Sequence, residues 1–182
     1  MRVSLLLIAA LVGCSSPEPA YFMLAAVPGV ARAGGPALVE LRRPGIAGYL
    51  DRPDIVRGGE YRLRVAAGER WGEPFGDLFG RVLAEDLNRR LPGTTVFSSA
   101  GSISAVADAT VEVDVQRFDA DGTGMVTLAV QVAVSRGRRG PAVTRAVRLT
   151  RPAGVTTVEL VVAMSGLMGE MSEVVAGMLR GS

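Results

Sequence analysis

The chain contains no histidine and no lysine, and it has a single cysteine among its 182 residues. Those absences close most routes to covalent and acid–base catalysis. Without histidine there is no Ser-His or Cys-His pair; without lysine there is no Ser-Lys pair, Schiff base or phosphate-gripping ammonium. A lone cysteine also excludes a disulfide framework. Only carboxylates remain for proton transfer, and none sits in a convincing pair. Asp119-Ala120-Asp121-Gly122 has the opening of a calcium loop, but the later ligands and the closing glutamate are missing. Residues 119–124 therefore read as a hairpin turn. The composition predicts a protein that is not an enzyme and holds no metal or cofactor. Aromatics make up only 5% of the chain, and the formal net charge is +2 with every basic residue an arginine. The pI of about 9.2 follows from the high pKa of arginine rather than from a basic surface. No basic tract is interleaved with aromatics, which argues against a nucleic-acid partner.

The cysteine that is present stands in an informative place. Arg2 is followed by an apolar run, residues 3–12, too short to span a bilayer, and then by Gly13 and Cys14. Leu11-Val12-Gly13-Cys14 is a lipobox: apolar at minus three, small before the cut, then the one side chain nucleophilic enough to accept a diacylglyceryl group. Residues 1–13 are expected to be a signal peptide cleaved after Gly13, with Cys14 the lipid attachment site. Each buried acyl CH2 contributes about 0.8 kcal/mol, so a multiply acylated cysteine holds a domain firmly. Ser15, rather than aspartate, follows the cysteine, which fits export to the outer membrane. Residues 14–20, with Pro17 and Pro19, form a short stiff tether.

About 170 residues follow the signal peptide, enough for one domain with a real core. Residues 21–27 read as a strand buried on both faces, and residues 37–42 as a second strand. Residues 59–65 alternate, with Tyr61, Leu63 and Val65 on one face and Glu60, Arg62 and Arg64 on the other, which predicts one packed and one wet face. Residues 74–91 are the best helix. Phe75, Leu78, Phe79, Val82, Leu83 and Leu87 line one face, and Pro92-Gly93 is the stop. Asp77–Arg81, Glu85–Arg89 and Asp86–Arg90 place acid before base at i,i+4 on its outer side.

Residues 94–98 are a short strand. Val111, Val113 and Val115 alternate with polar residues, as do Val126 to Val134, which makes a hairpin. Another strand covers residues 142–150. Thr156 and Glu159 form a capping box for a last helix with the stripe Leu160, Met164, Leu167, Met171, Val174 and Met178. Its uninterrupted apolar stretch is about ten residues, too short to span a membrane. The expected fold class is α+β: a two-layer sandwich of a mostly antiparallel β-sheet with two amphipathic helices on one face. The other face, with Arg62, Arg64, Glu112, Asp114 and Gln131, is polar. The methionine stripe reads as core, against a groove for acyl chains. The cluster Arg136, Arg138 and Arg139 reads as a solvated hairpin tip, against a contact for anionic headgroups.

Two motifs go further. Gly48-Tyr49-Leu50-Asp51-Arg52-Pro53-Asp54-Ile55-Val56 and Glu69-Arg70-Trp71-Gly72-Glu73-Pro74-Phe75, with the lipobox and the Arg81-Val82-Leu83 helix segment, resemble the PqiC/YmbA-type lipoproteins, or ABC-type transport auxiliary lipoproteins. Gly72 and Phe75 depart mildly from the alanine and leucine usual there. The resemblance covers residues 21–182. It implies a non-enzymatic docking subunit of an MCE-type system moving lipids between membranes, anchored on the periplasmic face of the outer membrane. The implied partners are a periplasmic MCE-domain protein and its inner-membrane transporter. No catalytic residue comes with the family. The rival readings are a lipid carrier holding acyl chains in its own cavity and an outer-membrane assembly lipoprotein.

Tyr49, Asp51, Arg52, Trp71 and Glu73 are the candidate partner interface, since Trp, Tyr and Arg are the usual interface anchors. The alternative is that Trp71 closes the core while Asp51, Arg52 and Glu73 form a polar network at its edge. A homo-oligomer, in ring form, is expected because one small domain cannot enclose a lipid path alone.

Overall fold

Alternating valines set the frame. The protein, seen in a computed structural model that describes residues 18–59, 61–137 and 140–181, runs β1 (Ala20–Phe22), β2 (Leu38–Leu41), β3 (Gly45–Ile46), β4 (Asp54–Gly58), β5 (Leu63–Trp71), α1 (Phe75–Arg90), β6 (Thr95–Ser98), β7 (Ala109–Ala120), β8 (Met125–Arg136), β9 (Val143–Pro152) and α2 (Thr157–Arg180). Gly13, Cys14, the tether residues 15–17, Glu60, Arg138 and Arg139 lie outside the described residues.

The fold class is α+β. The long ladders are antiparallel: β7 pairs with β8 from Ala109↔Arg136 to Ala120↔Val126, and β8 with β9 from Met125↔Pro152 to Val134↔Val143. Val111, Val113, Val115, Val126, Leu128, Val130, Val132 and Val134 are all buried, as period-two alternation requires. The expected single sheet is two. The larger has the order β6-β2-β7-β8-β9, with β3 also on β7, and β2 and β3 pair in parallel. The smaller has the order β1-β5-β4. Arg62 and Arg64 therefore do not share the outer face of the large sheet with Glu112, Asp114 and Gln131.

Three local expectations are corrected. Only residues 21–22 of the 21–27 run are strand, the end of β1; Tyr21 and Met23 are exposed and Leu24 is buried. The hairpin turn is residues 121–124, because β7 stays paired with β8 through Asp119 and Ala120, and Asp119 is buried; a bulge between Val115 and Arg117 turns Phe118 and Ala120 into the core. Leu63 and Val65 are exposed although their pattern predicts a packed face. Their strand is in the small sheet, whose β4 packs against β7 while β5 lies outside it.

Helix α1 starts behind Pro74, whose missing N–H costs nothing in a first turn, and ends before Pro92-Gly93. Of its three expected surface pairs, Glu85–Arg89 forms. Asp86–Arg90 forms in the interior, at 0% and 2% exposure. Asp77 and Arg81 instead turn to Arg43 and Glu73. Helix α2 has its capping box: Glu159 N–H donates to Thr156 Oγ1 at 3.2 Å, and Thr156 N–H donates to Glu159 Oε2 at 2.9 Å. By length and composition α2 could cross a membrane, but most of it is buried within the domain. Leu160, Met164, Leu167, Met171 and Met178 are core, with Val174 packed against it.

Candidate functional site

The first motif builds a rigid corner. Leu50 is buried, and its N–H donates to the Ala47 carbonyl at 2.8 Å. Arg52 N–H donates to the Leu50 carbonyl at 2.9 Å, and Trp71 N–H to the Pro53 carbonyl at 2.7 Å. Proline at 53 adds a fixed φ. The corner is thus tied to β5, and the second motif is its neighbour in space.

The five predicted residues divide by direction. Asp51 and Arg52 are exposed at the tip. Tyr49 turns inward: its hydroxyl donates to Asp119 Oδ2 at 2.5 Å and accepts from Phe118 N–H at 3.4 Å. Burial, then the Asp119 carboxylate, pushes the Tyr49 hydroxyl's ionisation above its ordinary value of 10, so it stays a donor. Asp119 is itself held by Arg117, Nε at 3.1 Å and Nη2 at 3.0 Å.

Trp71 is 6% exposed and closes the core, its ring centroid 5.1 Å from Phe75, which continues to Phe79 and Phe118. Glu73 is half-buried and binds Arg81 through Nε at 3.0 Å and Nη2 at 2.6 Å. The alternative polar network of Asp51, Arg52 and Glu73 does not form among the described residues; Glu73 pairs instead with Arg81, about two helical turns on. Of the five, only Asp51 and Arg52 are exposed at the corner; Tyr49 and Trp71 hold it from behind.

A second arrangement has no local signature in the sequence. Residues 24–32 lie as a strap across both helices. Ala25 N–H donates to Ser165 Oγ, Val27 N–H to Asp86 Oδ1, Val30 N–H to Glu173 Oε1 and Arg32 N–H to the Arg90 carbonyl, at 2.8–3.2 Å. Arg90 returns Nη1 to the Val27 carbonyl at 3.1 Å and Nε to Glu173 at 2.8 Å. These bonds join residues up to 143 positions apart, beyond any periodic signal.

The clefts of 330–590 Å3 on the described residues open to solvent. The widest, about 590 Å3, crosses the outer face of the large sheet between Glu112, Asp114, Gln131 and Arg145. Beneath the helices, Met168, Met171 and Leu167 are fully buried in one continuous core. Among the described residues, no three acidic or thiol side chains gather as a metal site would need.

The family description "ABC-type transport auxiliary lipoprotein component" matches residues 21–176. The chain belongs to that family, the PqiC/YmbA-type lipoproteins. The fold is similar to a crystal structure of an uncharacterised protein, with a TM-score of 0.71 and 18% identity over 88% of this chain and 97% of that one. It is equally similar to protein XCC0632 from Xanthomonas campestris, with a TM-score of 0.70 and 18% identity over 87% and 93%. No curated protein sequence matches the chain.

Proposed function

We propose that this lipoprotein is a non-enzymatic docking subunit of an MCE-type system that moves lipids between the two membranes, anchored through Cys14 to the periplasmic face of the outer membrane. Family membership supports a role beside an ABC-type transporter. The observation that carries docking is the corner at residues 49–53: two exposed charged side chains on a backbone fixed by Trp71, Tyr49 and Asp119. A preorganised loop loses little entropy on binding. The filled core supports docking over carriage, since a carrier needs an apolar cavity of several hundred Å3.

The test is capture of the periplasmic MCE-domain protein. Arg52→Glu should leave thermal stability unchanged and weaken capture tenfold or more, as loss of an anchor costs about 2 kcal/mol. Trp71→Ala should cost about 3–5 kcal/mol of stability and lower the melting temperature. Unchanged capture by Arg52→Glu would move the docking surface elsewhere. The anchor has its own check: Cys14→Ser should abolish fatty-acid labelling and leave the precursor uncleaved. A processed, membrane-bound Cys14→Ser protein would overturn the lipoprotein assignment of that residue.

A further inference from the structure

Two groups of exposed apolar residues lie near one another, one at the β4–β5 hairpin and one at the start of α2. Tyr61 is 98% exposed, and Leu63 and Val65 follow it on β5. Val155 is 93% exposed, and Val158 and Val162 follow on the outer side of α2. The near ends of the two groups are neighbours, because the start of α2 is pinned to the small sheet and Arg62, Arg64 and Val155 line one cleft, while Leu63 and Val65 stand on the other face of β5. Thr157 Oγ1 donates to Glu69 Oε2 at 2.5 Å and accepts from Arg57 Nη2 at 3.3 Å.

Between them lies an open cleft of about 510 Å3, with Arg57, Arg62 and Arg64 on one wall. Among the described residues neither Arg62 nor Arg64 pairs with a carboxylate, and Arg57 has only the Val155 carbonyl and Thr157. The one carboxylate on the opposite wall, Asp121, is turned to its own hairpin, its Oδ1 accepting from the N–H and hydroxyl of Thr123 and the N–H of Met125. Three guanidiniums flanked by aliphatic and phenolic side chains suit a surface that is anionic outside and apolar beneath.

The chain's own connectivity says what meets that surface. Ala20 lies beside Glu69, and the parallel pairing of β1 with β5 points the preceding residues toward the Leu63 end. From Cys14 to Ala20 the backbone reaches about 20 Å at most. An acylated cysteine sits in the headgroup layer, so this end of the domain is held at the bilayer.

We propose that the exposed Tyr61 and Val155, with Arg57, Arg62 and Arg64, form a membrane-contacting end that takes the phosphates of an anionic phospholipid bilayer. The proposal rests on the lipid anchor at Cys14. This end orients the domain, leaving Asp51 and Arg52, at the other end of the small sheet, turned to the periplasm.

Once Cys14 is acylated, an introduced cysteine is the protein's only thiol. We would label Tyr61→Cys with an environment-sensitive fluorophore in the full lipoprotein. Ala142→Cys serves as the distant control, about 30 Å away along β9. Both are reconstituted in phosphatidylethanolamine–phosphatidylglycerol vesicles. The Tyr61 label should be blue-shifted and quenched by lipid-borne quencher, and the Ala142 label should not. Arg62→Glu with Arg64→Glu should reverse the Tyr61 signal without changing the melting temperature, since each surface arginine is worth roughly fivefold in membrane affinity. Failure to enter vesicles would overturn the anchor and this proposal together. Entry with equal aqueous quenching at both labels would overturn the proposal alone. Shielding of the Tyr61 label that persists in detergent without lipid quenching would assign this end to a second copy of the chain, and overturn the proposal as well.

Discussion

Asp86 is a carboxylate in the interior, 0% exposed, between the strap and the two helices. Burial raises its pKa above 3.8; the Arg90 charge and the hydrogen bonds from Val27, Arg90 and Ser172 pull the other way without winning. Between its unfolded and folded pKa values the folded chain holds more protons there than the unfolded one. The contribution of Asp86 is therefore most favourable below that window and declines as pH rises through it. Asp121 and Glu159 slope the opposite way. Hydrogen bonds from Thr123 and from Thr156 lower their pKa values, so their contribution is present above the unfolded pKa and lost as pH falls through the folded one. Urea titrations at several pH values should show the Asp86 component vanish in Asp86→Asn. That variant should also lose about 3 kcal/mol, the lower end for breaking a buried pair, because Arg90 keeps Glu173 and the Val27 carbonyl. An unchanged pH slope would show that Asp86 titrates as an ordinary carboxylate.

At the scale of elements, the strap depends on glycine where it crosses α2. A Cβ on Gly169 would overlap the Val27 side chain and approach Arg90 Nη2 at 3.2 Å. In an exposed helix interior Gly→Ala stabilises by about 1 kcal/mol. Here overpacking costs about 1–3 kcal/mol, so Gly169→Ala should lower the melting temperature. A stabilised variant would mean that the strap yields freely and is not part of the cooperative core.

The whole molecule is polar in the geometric sense. β4 runs from the Asp51–Arg52 corner to Gly58, which pairs with Leu63, so the corner and the arginine-lined end occupy opposite ends of the small sheet. The helices cover one face of the large sheet and leave a second, crossed by the cleft between Glu112 and Arg145, free for another subunit. We expect residues 15–182 without lipid, whose core begins only at Leu24, to form a closed ring, at least with the MCE-domain partner present. Light scattering of the domain alone and with that partner measures the mass. A monomer in both samples would leave a one-to-one docking role.

The hairpin valines, both helices and the Thr156 capping box were legible because each is encoded within a few residues of chain. So was the pair of motifs at residues 48–56 and 69–75. The bulge after Val115 was not: one extra residue in a strand reverses inside and outside, so Phe118 and Ala120 enter the core, and the strand runs on through Asp119, the partner of Tyr49, where the polar residues read as a turn. Leu63 and Val65 follow the same period as Val111 and Val113, yet they face solvent because their strand lies outside β4. By itself the sequence determined the lipobox, the periodic elements and the family. Only the tertiary structure decided which side chains of the corner meet solvent, because burial depends on what another element places opposite a residue.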